Sequence, residues 1–175
     1  MPLILPVRDI HPSWGENCFI APNATIVGDV IMGRDCSIWF NAVIRGDVNS
    51  IRIGNKVNIQ DGAILHCTFE RTKTIIGNNV SIGHNAIVHG CTVHDHVLIG
   101  MGAIIMDHSE IGSNSIIAAG AVVLEGTIIE PGVIYGGIPA KKIKDVPKDL
   151  ISGQIDRIAN NYTNYASWYM ENKAV

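Results

Sequence analysis

Aromatic residues are scarce in this 175-residue chain, at 6%, although hydrophobic residues of all kinds reach 47%. A core of interlocking rings is therefore excluded, and the interior has to be built from small and branched aliphatics. Positive charge is thin as well. Thirteen Lys and Arg against 16 Asp and Glu give a net charge of −3, and the basic residues form no dense run. That argues against a nucleic acid or an anionic membrane surface as partner. No apolar stretch approaches the ~20 residues of a membrane span. The opening MPLILPVRDI lacks the basic segment and long apolar run of a secretory signal. Cys18, Cys36, Cys67 and Cys91 include no CxxC pair. The expectation is a soluble, cytoplasmic protein with reduced thiols and one sizeable core.

What is present is a repeat of six. Aliphatic residues recur at Ile20, Ile26, Met32, Ile38 and Ile44, with Trp14 one step earlier; then at Ile53, Ile59 and Leu65; then at Ile76, Ile82 and Val88. A fourth run goes Val93, Ile99, Ile105, Ile111, Ile117, Val123, Ile129. Four places after these leads the residue is small or β-branched, as at Ala24, Ala42, Ala63, Ala86, Ala103 and Ala121. A helix needs a period near 3.6 and a half-buried strand a period of 2. Period six fits a short strand plus a tight turn, with the aliphatic pointing inward and the small residue turning the corner. Three such sides close a triangular prism. The fold class expected is all-β, a parallel β-helix over residues 1–145, resembling the left-handed β-helix of hexapeptide transferases and their relatives. The hand rests on that resemblance, since general crossover preference points the other way. Over 146–175 the spacing of Ile151, Ile155, Ile158, Tyr162, Tyr165 and Tyr169 predicts an amphipathic helix after Pro147, packed on the prism or on a neighbouring subunit.

The repeat also places the histidines. Positions three hexads apart stack on one side, so Arg45, His66 and His89 form a column at the inter-strand spacing of ~4.8 Å. His66 and His89 can then converge on one ion. His84 lies on the preceding side, above Asp61, and a corner separates it from His89. In a threefold trimer His84 of one copy would meet His66 and His89 of the next, giving three neutral imidazoles with open positions for water. His11, His94, His96 and His108 are expected to be solvated surface residues. Cys67 is a minor alternative ligand beside His66.

The stretch WFNAVIRGDVNSIRIGNKVNIQDGAILH, followed by IGNNVSIGHNAIVHGC and LIGMGAII, resembles the γ-class carbonic anhydrases over about residues 10 to 145. The resemblance implies a homotrimer with one metal per subunit interface, zinc or alternatively iron(II) or cobalt(II), held by His66, His84 and His89. It implies reversible hydration of CO₂ to bicarbonate by hydroxide generated on that metal. Gln60 would orient hydroxide or substrate, and Arg45 would form an intersubunit ion pair with Asp47 or Asp61. The archetype's long acidic loop is replaced by CTFERTKT, whose sole carboxylate is Glu70, and a second archetype glutamate is Val48 here. Proton transfer would then be slower and run through Glu70 or buffer. The family also brings a tyrosine or asparagine of the terminal helix to the cleft. Tyr162 and Tyr165 are candidates, and their spacing equally suits a core role, which is the reading preferred from the register. YGGIPAKKI resembles the closing segment of hexapeptide acetyltransferases, so a metal-dependent thioesterase or an acyltransferase acting on a coenzyme A thioester is the alternative. A non-catalytic assembly subunit comes third, because the histidines and Gln60 are all present.

Overall fold

The computed structural model describes residues 1–171. Short strands stack into a parallel coil with three faces. One face carries Phe19–Ile20, Ser37–Ile38, Asn58–Ile59, Ser81–Ile82, Leu98–Ile99, Ile116–Ile117 and Val133–Gly136 in parallel order. The other two faces are joined into one sheet, because Thr25–Met32 and Val43–Ile53 run on around the corner between them. The N-terminal strands Leu3–Leu5 and Ser13–Trp14 start those two faces by pairing with Thr25–Met32.

The hexad leads fill the interior as the repeat requires. Ile26, Ile44, Leu65, Val88, Ile105 and Val123 form one fully buried column, and Ile38, Ile59, Ile82, Ile99 and Ile117 form another. Each such side chain gains about 1.5–3 kcal/mol from burial. Trp14 keeps the spacing but stays exposed. Corners need residues that take little space. Ala24, Ala42, Ala63, Ala86, Ala103 and Ala121 have no exposed surface, and from Ala42 upward each carbonyl accepts a bond from the strand one coil below. Just before that ladder the backbone turns through left-handed residues, Asn41, Gly62, Asn85, Gly102 and Gly120.

Three irregularities interrupt the sixes, a nine-residue step from Ile44 to Ile53 and one after each of the two paired histidines. Between Leu65 and Ile76 the chain makes an excursion through Cys67–Lys73, and between Val88 and Val93 the step is one residue short. The pairing absorbs both, since Val88 still lies beside Leu65 and Val93 beside Ile76. The last strand departs from the expected parallel repeat up to residue 145. Lys141–Asp145 runs antiparallel to Val133–Gly136, after a turn through Gly137 at φ 94°.

The C-terminal helix runs from Lys148 to Glu171, with a wider, π-type turn over Ile151–Asp156. Residues 172–175 of the expected helix lie outside the described residues. Of the two packing options, the helix lies on its own prism. Tyr162 meets Trp39 edge-on at 5.2 Å, and Tyr169 lies 5.2 Å from Phe19. Asp156 accepts bonds from Asn79 at 2.6 Å and His96 at 2.9 Å, and Lys56 donates to Asn160. His96, expected to be merely solvated, thus helps to fasten the helix. Among the described residues no helix is long and apolar enough to cross a membrane.

Candidate metal centre

Register puts His66 and His89 side by side. They are paired positions on Ile64–His66 and Ile87–His89, and His66 Nδ1 stands 3.0 Å from His89 Nε2. His84 belongs to the neighbouring face. Five residues separate it from His89 because the chain passes the left-handed Asn85 and the buried Ala86 between them. Among the described residues of one chain, no three His, Cys, Asp or Glu side chains converge as a metal site.

Each of the three histidines has one ring nitrogen engaged by its own aspartate. His66 Nε2 lies 3.2 Å from Asp47 Oδ1, His84 Nδ1 lies 2.8 Å from Asp61 Oδ2, and His89 Nδ1 lies 2.6 Å from Asp107 Oδ1. An imidazole that gives its N–H to a carboxylate presents a lone pair at the other nitrogen, the arrangement common around ligated metals. For His66 and His89 those remaining nitrogens face each other. Two lone pairs at 3.0 Å repel unless a cation stands between them. Two nitrogens on a tetrahedral ion at about 2.0–2.1 Å would stand about 3.3 Å apart, so a small relaxation accommodates one. The donor set therefore fits a divalent transition ion.

Electrostatics hold His66, Asp47 and Asp107 in the protonation states a metal site requires. Burial lowers the His66 pKa, and the Arg45 charge lowers it further, so the ring is neutral. Burial alone would raise Asp47 and Asp107, but their hydrogen bonds win and hold both below the usual carboxylate range. For Asp47 the donors are Arg45 and His66, and for Asp107 they are Thr68 and His89 with a weaker contribution from Thr72. Arg45 reaches Asp47 of its own chain at 2.7 Å, so within one chain that is its partner, while Asp61 is taken by His84.

Gln60 is buried beneath the His84 corner and donates to Asn58 Oδ1 at 2.9 Å. Asn58 in turn donates to Ser81 Oγ at 2.7 Å. Gln60 and His84 line a mostly apolar cavity of about 260 Å³ with Met101, Ile158 and Tyr162. Tyr162 is more than the core residue preferred from the sequence. Its hydroxyl stands 3.3 Å from His84 Nε2, the nitrogen that Asp61 leaves free. Burial, Asp61 and Tyr165 push its pKa up to about 12, so the phenol keeps its proton. Tyr165 packs against Tyr162 and Trp168 instead. Glu70 lines a polar groove with Arg71, Lys73 and His108 that also borders Thr72 and Gly90. Cys67 is turned inward against Thr74 and the Ser50 carbonyl, and burial raises its pKa, which removes it as a ligand. Asp107 is the site residue that sequence reasoning missed. The available signal was its place one coil above the His89 column, two residues past Ile105.

Residues 15–46 and 90–125 match the bacterial transferase hexapeptide family (six repeats), and residues 73–106 match the hexapeptide repeat of succinyl-transferase. Fold and repeat together define a hexapeptide-repeat protein. A carbonic anhydrase from Geobacillus kaustophilus is 42% identical over 167 residues, covering 95% of this chain and 91% of that protein. Mitochondrial γ carbonic anhydrase 1 of Arabidopsis thaliana is 40% identical over 168 residues, covering 93% of this chain. This chain spans only 61% of the length of that plant relative. The crystal structure of a Bacillus cereus protein, described as an acetyltransferase candidate, superposes with a TM-score of 0.93 at 39% identity and covers 96% of each chain. The chain belongs to the γ-class carbonic anhydrase family.

Proposed function

We propose that this chain is the subunit of a homotrimeric, cytoplasmic carbonic anhydrase that hydrates CO₂ reversibly to bicarbonate at sites shared between copies. The observation that carries this reading is the set of three histidines, each with one nitrogen given to its own aspartate, while the other faces a second histidine or the Tyr162 hydroxyl. His66 and His89 of one copy and His84 of the next would hold the ion, zinc by default and iron(II) or cobalt(II) as alternatives. A divalent ion bound there would supply the Lewis acidity that makes hydroxide available near neutral pH.

The chain's own residues do the rest. Asp47, Asp61 and Asp107 fix the direction of the imidazoles. Gln60, anchored through Asn58, would orient the nucleophile or CO₂ by a hydrogen bond from its amide. Tyr162, protonated and packed on Trp39, closes the His84 side against bulk water and offers a hydroxyl there. The proton would leave to buffer or through Glu70, which lines a polar groove bordering Thr72 and Gly90.

Stopped-flow CO₂ hydration by zinc- or iron(II)-loaded protein tests the reaction beside His89→Ala. Mixing tests the shared site. His84→Ala and His89→Ala should each be inactive, but co-refolded together they should rebuild one complete interface in every mixed trimer. Roughly a quarter of wild-type activity should return. Loss of hydration in the variants without recovery on mixing would place the three ligands within one chain or abolish the metal reading.

A second reading keeps the site and changes the substrate. The apolar cavity beside His84 has room for an acyl group, so a coenzyme A thioester is the alternative electrophile. One bound metal per subunit, no hydration and turnover of acyl-CoA thioesters would establish it.

A further inference from the structure

Asp107 carries the one nitrogen contact to a candidate ligand that no motif in the chain points to, and its surroundings are built around it. Three donors meet its carboxylate. His89 Nδ1 reaches Oδ1 at 2.6 Å, Thr68 Oγ1 reaches Oδ2 at 2.6 Å and Thr72 Oγ1 reaches Oδ1 at 3.3 Å. Thr72 is itself buried and accepts the Thr68 backbone N–H at 2.9 Å, so the two threonines brace each other. Both belong to the excursion between Leu65 and Ile76. The carboxylate crosses to His89 over the backbone of Gly90, where a side chain is impossible. A Cβ there would lie 1.9 Å from Asp107 Oδ1 and 2.3 Å from Thr72 Oγ1. Excursion, glycine and aspartate are separate parts of the sequence that meet at one ring nitrogen.

We propose that Asp107, clasped by Thr68 and Thr72, is a positioning residue that fixes the tautomer and direction of His89, and that the short excursion after His66 serves in this chain to hold that carboxylate. The proposal deepens the metal reading, and rests on His89 being a ligand. An unrestrained imidazole samples two tautomers and two ring orientations. Here the bond to Asp107 commits the proton to Nδ1 and leaves Nε2 facing His66. A carboxylate partner also makes the free nitrogen a stronger donor.

The test reads tautomer and affinity separately. In the metal-free protein, side-chain ¹⁵N NMR of His89 should show a single Nδ1–H tautomer in wild type and a mixture in Asp107→Ala. Zinc affinity, measured by competition with a chromophoric chelator, should fall about 10–100-fold in Asp107→Ala. The isosteric pair Thr68→Val with Thr72→Val should lose affinity to a smaller degree with the same tautomer drift. The cobalt(II) ligand-field spectrum of each variant should shift, which a loss of packing alone would not produce. An unchanged tautomer with zinc affinity within about twofold of wild type overturns the proposal. If wild type takes up no zinc, the metal reading fails, while the tautomer comparison still decides whether Asp107 positions His89.

Discussion

The Tyr162 hydroxyl and His84 Nε2, 78 residues apart in sequence, stand 3.3 Å from each other across the groove between the terminal helix and the prism. The ring is held by Trp39 and Tyr165, so the phenol is delivered by packing rather than by a flexible loop. Tyr162→Phe keeps that packing and deletes only the oxygen. Thermal stability should change by no more than ~1 kcal/mol, the usual worth of one hydrogen bond. CO₂ hydration by the metal-loaded protein should fall about fivefold or more if the hydroxyl assists at the His84 side. Comparing kcat with the melting temperature separates the two effects.

Gln60→Ala separates binding of the ion from its use. Gln60 bonds Asn58 and no histidine, so one metal per subunit should remain by elemental analysis while hydration drops. A loss of about 10²-fold would match removal of one preorganised donor. Retention of full activity would remove Gln60 from the site.

Ala103 tests the corner ladder away from the ligands. It is fully buried between Ala86 and Ala121 at the turn, so Ala103→Val adds volume where the coil closes most tightly. Urea denaturation should show a loss of about 1–3 kcal/mol.

The first two cysteines provide a pH signature. Cys18 and Cys36 precede the paired strands Phe19–Ile20 and Ser37–Ile38, and both are free thiols. The neighbouring Cys36 thiol lowers the Cys18 pKa, whereas burial raises Cys91 to about 12. Alkylation of the native protein should therefore be confined to Cys18 and set in at a lower pH than for an ordinary thiol, as followed by mass spectrometry. The sign for stability follows. The folded pKa lies below the unfolded value, so this group's contribution is present above the unfolded pKa and is lost as pH falls through the folded one.

Much of the site was legible because a solenoid turns sequence distance into spatial adjacency. Once the sixes were found, His66 and His89 had to be neighbours, and Asp61 had to lie beneath His84. Asp107 was hidden for two reasons. Its coil is reached across a step one residue short, and its reach to His89 depends on what Gly90 lacks rather than on what Asp107 is. The role of Tyr162 was open because helix periodicity gives a face but not its height along the prism. The reversal at Lys141–Asp145 was missed because YGGIPAKKI shows a closing segment but not its direction, which depends on the turn through the left-handed Gly137.

That reversal governs how copies of the chain can meet. A parallel coil that simply stopped would leave a row of unpaired N–H and C=O groups, open to the first strand of another molecule. Here Lys141–Asp145 covers one face of the end, and the segment before it bonds Val122 on a second face through Gly137 and Ala140. The strand on the outside carries Lys141, Lys142 and Lys144, all exposed, so an approaching edge meets charge. Addition of a further strand to these two faces at this end of the prism is thereby disfavoured.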